Sequence, residues 1–86
     1  MTTPKEMLLS APAGEMDESM RSVIRRWDPQ PTALQILEAL DDGVRGATAS
    51  GFVMGVLEAL LASTLNREKR TLDEVAAQAT WRKVLS

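Results

Sequence analysis

Three acidic residues, Glu38, Asp41 and Asp42, fall on or just after one turn of a predicted helix. A group of this kind could hold a divalent cation or meet a basic partner. It lacks the alternating oxygen ligands of a calcium loop, and its spacing is that of an ordinary solvated helix face. Five bases, Arg67, Lys69, Arg70, Arg82 and Lys83, gather near a turn and the C-terminus and could contact phosphate. Glu68, Asp73 and Glu74 interleave with them, and Arg82 and Lys83 sit where a helix end attracts cations in any case. Gly43, Gly46, Gly51 and Gly55 do not make a phosphate loop. Their spacing fits neither nucleotide motif, no lysine follows and no strand precedes.

The 86 residues include no histidine and no cysteine. Zinc and haem ligation by their usual donors is therefore excluded. The usual general base at neutral pH is missing, as is any thiol nucleophile. A serine–lysine or carboxylate pair is what remains, and neither occurs at a recognisable spacing. The expectation is a non-catalytic protein with no cofactor, no metal and no small-molecule substrate. The net charge of −2 gives no broad attraction to nucleic acid or to an anionic membrane.

With 44% hydrophobic and 26% charged residues, the chain has ordinary globular composition, and its length allows one core. The predicted organisation is an N-terminal arm or short helix over 1–14 and one helical-bundle domain over 15–86. Thr3 to Glu6 resembles a capping box with Pro4 at the first helical position. From Glu15, the residues Met16, Met20, Val23, Ile24 and Trp27 form one apolar stripe, ended by Asp28-Pro29. Thr32 is the candidate cap of a second helix, with Gly43 as its C′ residue. A third helix spans about 48–66, capped by Thr48 or Ser50, and is apolar nearly all round with Glu58 as its only charge. It is expected at the centre of the bundle. A second capping box, Thr71 to Glu74, opens a fourth helix with Leu72, Val75, Ala76 and Ala79 inward. The fold class is all-α: a compact bundle of about four helices, with or without a short one before them.

Gly51, Gly55, Ala59 and Ser63 recur every fourth residue along the third helix, and Ala47 extends the row. A mid-helix glycine weakens a helix by about 1 kcal/mol relative to alanine, so a compensating contact is expected. Either the second or fourth helix of the same chain lies close in that groove, or the third helix of a second copy does, in a two-fold dimer. Exposure of that edge with nothing across it would remove this explanation of core and of self-association together. A membrane-spanning reading of positions 47–65 is opposed by Glu58 and by the lack of an aromatic belt. Trp27 belongs to the apolar stripe; Trp81 lies off the inward face and is a candidate interface anchor.

The segment RTLDEVAAQATWRKVLS resembles the opening of helix-turn-helix domains in the LacI and related repressor families, through Thr71, Leu72, Asp73, Glu74, Val75, Ala76 and Ala79. The resemblance covers some nine residues. It implies a truncated DNA-reading element over 67–85, but the family's following glycine and recognition helix are absent. The favoured expectation is a cytoplasmic protein-binding or regulatory module acting through helix–helix contacts as a homodimer. Its interface residues would be Gly51, Gly55, Ala59, Ser63 and Trp81. DNA binding through 67–85 is the alternative. The N-terminus does not read as a signal peptide.

Overall fold

The computed structural model describes residues 3–46 and 49–83. Helix α1 covers Pro4–Leu9 and is followed by a 3-10 turn, Ala13–Glu15. Helices α2 (Glu18–Arg25), α3 (Ala33–Val44), α4 (Gly51–Glu68) and α5 (Leu72–Gln78) follow, then one turn, α6 (Thr80–Lys83). The chain is an all-α bundle. Among the described residues the only strand-like pairing is an isolated antiparallel bridge between Met16 and Ala49.

Most helix starts are set by side chains that satisfy otherwise orphaned amides. Thr3 accepts from the Glu6 amide at 3.2 Å, and Pro4 takes a position that needs no donor. Thr32 with Gln35, and Thr71 with Glu74, form complete capping boxes, while Ser50 accepts from the Val53 amide. Thr48 and Ala47 lie outside the described residues. The helix expected from Glu15 begins three residues later, because Asp17 takes the N-cap and accepts from the Met20 amide at 3.0 Å. Met16 is left extended and buried, and the Glu15 carbonyl accepts from the Ser50 amide at 2.8 Å. Helix α4 runs two residues past the predicted end and closes on Lys69 in the left-handed region, φ 56°. The Arg70 amide donates back to the Leu65 carbonyl, which completes the cap.

Gly43 is not the C′ residue of α3 but lies inside it. A side-chain carbon at Gly43 would stand 2.6 Å from Met54 Sδ and 3.2 Å from Met20 Cε. The close approach that α4 makes is therefore to α3, through the glycine of α3 and a methionine of α4. Helix α3 is the hub and packs against α2, α4 and α5; α1 packs on α2. This corrects the expectation that the 48–66 helix is central. The molecule measures 33 × 32 × 21 Å, and its short dimension admits two layers of helix, each about 10–12 Å across. The described residues form no third layer over α4.

Ile36 and Ala33 of α3, Met20 and Ile24 of α2, Val53 and Leu57 of α4 and Val75 of α5 are fully buried. Trp27 is buried as expected, and its Nε1–H donates to the Gln35 carbonyl at 3.2 Å. Leu72, expected inward, is 47% exposed, so α5 is held by Val75 and Ala79. Ile36→Ala, at the hub, should lower the unfolding free energy by about 2–5 kcal/mol in a urea titration. Val44→Ala, at a site 80% exposed, should change it by less than about 0.5 kcal/mol.

Candidate interaction surface

Helix α4 buries Val53, Leu57, Leu61 and Thr64 and half-buries Met54, Val56, Leu60 and Leu65. Its other side is Gly51, Phe52, Gly55, Glu58, Ala59, Ala62, Ser63, Asn66 and Arg67, all exposed. The row Gly51, Gly55, Ala59 and Ser63 therefore faces away from the core. A carbon added at Gly51 or Gly55 would meet nothing within 4 Å. No helix among the described residues lies across the row, so its spacing explains neither the core nor self-association. Surface helices usually turn charge to water, yet between positions 51 and 66 this side carries Glu58 alone. Phe52, 74% exposed, stands at its start.

At that end the exposed side runs into a groove of about 530 Å³ between α4 and the N-terminal arm. Phe52, Val53 and Val56 form one wall; Met7, Leu8, Ala11 and Pro12 form the other, with Ser10 and Glu15 as the polar members. The Ser10 hydroxyl is already committed, donating to the Met7 carbonyl at 2.7 Å. The arm wall is positioned by Arg21 of α2. Its guanidinium donates to the carbonyls of Leu9 (3.2 Å), Ala11 (3.0 Å), Pro12 (2.9 Å) and Met16 (3.2 Å). Lys5 Nζ donates to the Trp27 carbonyl at 2.9 Å and ties α1 to the far end of α2.

The remaining candidates are dispersed among structural contacts. Trp81 is half-buried on the core, and its Nε1–H donates to Asp41 Oδ2 at 2.6 Å, so it ties α6 to α3 rather than standing free. Glu38 pairs with Arg26 at 3.2 Å. Among the described residues no cluster of acids is arranged to hold a metal ion. Arg67 donates to the Pro31 carbonyl at 3.5 Å. Arg70 meets Glu68 at 3.5 Å and donates to Gln78. Lys69 is exposed at the α4 cap, and the side chains of Arg82 and Lys83 lie outside the described residues. Thr80–Lys83 is a single turn where the repressor resemblance requires a recognition helix. Among the described residues no helix is long and apolar enough to cross a membrane.

Glu68 does work that the sequence did not advertise. Its Oε2 accepts from the Ala33 amide at 3.2 Å, filling an orphan donor in the first turn of α3 and joining the end of α4 to the start of α3. On α2, Glu18 and Arg25 lie two turns apart and pair directly. Hydrogen bonding and the charge of Arg25 hold the Glu18 carboxyl below its ordinary range, and Glu18 raises Arg25 in return. Comparison with protein-family models, curated proteins and solved structures finds no match to this chain.

Sequence reasoning placed the row on one face of α4 and missed Arg21, Lys5 and Glu68. All three bind backbone groups that are distant in sequence, and such acceptors leave no pattern in residue type. Gly55→Ala should raise stability by about 0.5–1 kcal/mol, read as a melting increase of several degrees at low micromolar concentration. A loss there would mean that a backbone of the same chain crosses Gly55. An NMR pH titration should find the Glu18 midpoint below that of an unpaired glutamate, and Arg25→Ala should return it upward. The pair's support for α2 is then present above the unfolded-state value and lost as pH falls through the lowered one.

Proposed function

We propose that this chain is a non-catalytic protein-binding module whose contact surface is the exposed side of α4, and that its occupant is a second copy. The supporting observation is the near absence of charge over the exposed side of its longest helix, with Phe52 bare at one end. That observation replaces the glycine spacing as support, because the spacing no longer explains the core.

The row Gly51, Gly55, Ala59 and Ser63 is centred between Gly55 and Ala59. An antiparallel copy about a two-fold axis at that point sets small residues against small residues. Phe52 then falls over Ala62 of the second copy, and Glu58 meets Val56 rather than the other Glu58. Helix axes with such residues at the crossing pack about 8 Å apart. The groove beside Phe52 continues the apolar surface onto Met7 and Pro12, toward the extent a stable contact needs.

Sedimentation velocity tests this reading. Twice the monomer mass is expected at tens of micromolar, and Ala59→Arg should give monomer mass with helical circular dichroism retained. Monomer mass at every concentration would overturn the second copy as occupant. Salt-sensitive binding to duplex DNA at that mass would favour the nucleic-acid reading instead.

A further inference from the structure

The arm over residues 3–14 is attached differently from the rest of the molecule. Leu8 is its only buried residue and joins the core that α2 to α5 share, with Leu9 and Ala11 packed against it. Its packing partner is α2, and its opposite flank borders the groove toward α4. Polar contacts fasten the rest. Arg21 gathers the carbonyls of Leu9, Ala11 and Pro12 on one side chain, and Lys5 holds the Trp27 carbonyl. The carbonyl of Leu9, the last residue of α1, has no partner within the helix, and Arg21 satisfies it; the Ala11 and Pro12 carbonyls lie beyond the helix. Beyond the arm the chain is fixed. Met16 is buried, bridges Ala49 and gives its carbonyl to Arg21 Nε, and the Glu15 carbonyl accepts from Ser50.

A segment with one buried side chain, a few directed hydrogen bonds and a fixed hinge opens at lower free energy than the core it rests on. We infer that residues 3–14 are a strap that opens as a unit about Glu15–Met16 while α2 to α5 stay folded, and that Arg21 is its latch. Opening removes the Met7, Leu8 and Pro12 wall of the groove and widens access to Val53 and Val56. The strap thereby sets how much apolar surface the molecule presents. Methionine at position 21 would keep most of the side chain's packing and remove every donor.

Native-state hydrogen exchange on the full chain, at low denaturant concentrations, tests this. The amides of Met7, Ser10 and Ala11 should exchange at least tenfold faster than those of Leu37 and Leu57, with a denaturant dependence smaller than that of the core amides. Arg21→Met should accelerate the strap amides at least tenfold further and leave Leu37 and Leu57 unchanged. Lys5→Met should act in the same direction and more weakly, and it decides the matter if the Arg21 variant does not fold. One shared, denaturant-dependent rate for strap and core would overturn the inference. So would a variant that accelerates both sets of amides by the same factor.

Discussion

The fold depends on the packing of α4 against α3: one side of α4 buries its large apolar residues, and the described residues leave the other side open. Helix α4 is 18 residues long, about 27 Å, and each of the other helices is shorter. On its open side Phe52 is the large apolar residue, and the others are small or polar. The groove beside Phe52 opens where α4 meets the arm.

Within the two layers, α3 and α4 approach closely where Gly43 faces Met54. A glycine inside α3 lets the flexible thioether of α4 lie against the helix backbone, and Met20 closes over the same spot. The glycines of α4 itself have the opposite surroundings, with open space where a side chain would point. Small residues thus serve two purposes in neighbouring helices. In α3 the purpose is internal and visible; on α4 no described residue lies within 4 Å of where a side chain at Gly51 or Gly55 would start, although Gly55 weakens the helix. Polar side chains fasten the periphery to this centre: Glu68 to the start of α3, Trp81 to Asp41, and Arg21 to the arm.

Local features were legible in the sequence where the information is local. Thr32 and Thr71 cap the helices they were expected to cap, Ser50 is the one of the two candidates Thr48 and Ser50 that caps α4, Asp28-Pro29 follows the end of α2, and Trp27 is buried. The all-α class follows from those starts and the periodic apolar residues between them. What the sequence did not carry was which neighbour covers which side. The apolar pattern of α4 fits a central helix equally well as a helix covered on one side, because a pattern of residue types records demand for cover and not its supply. Gly43 illustrates the same ambiguity: as a C′ residue or as a packing notch it has one letter, and only the position of Met54 separates the two. Asp17 displaced the expected start of α2 because its carboxylate competes for the Met20 amide, a choice between two nearby acids that spacing alone leaves open.

The central proposal is that the exposed side of α4, which carries only Glu58 as a charge between positions 51 and 66, is where this molecule meets another copy of itself. Amide chemical shifts recorded across a dilution series, from tens of micromolar to below one micromolar, address it residue by residue. Concentration-dependent shifts should concentrate at Phe52, Gly55, Ala59 and Ser63, with Ile36 and Leu37 of α3 unmoved. Shifts confined to the opposite end of the molecule, or a spectrum identical at every concentration, would contradict it.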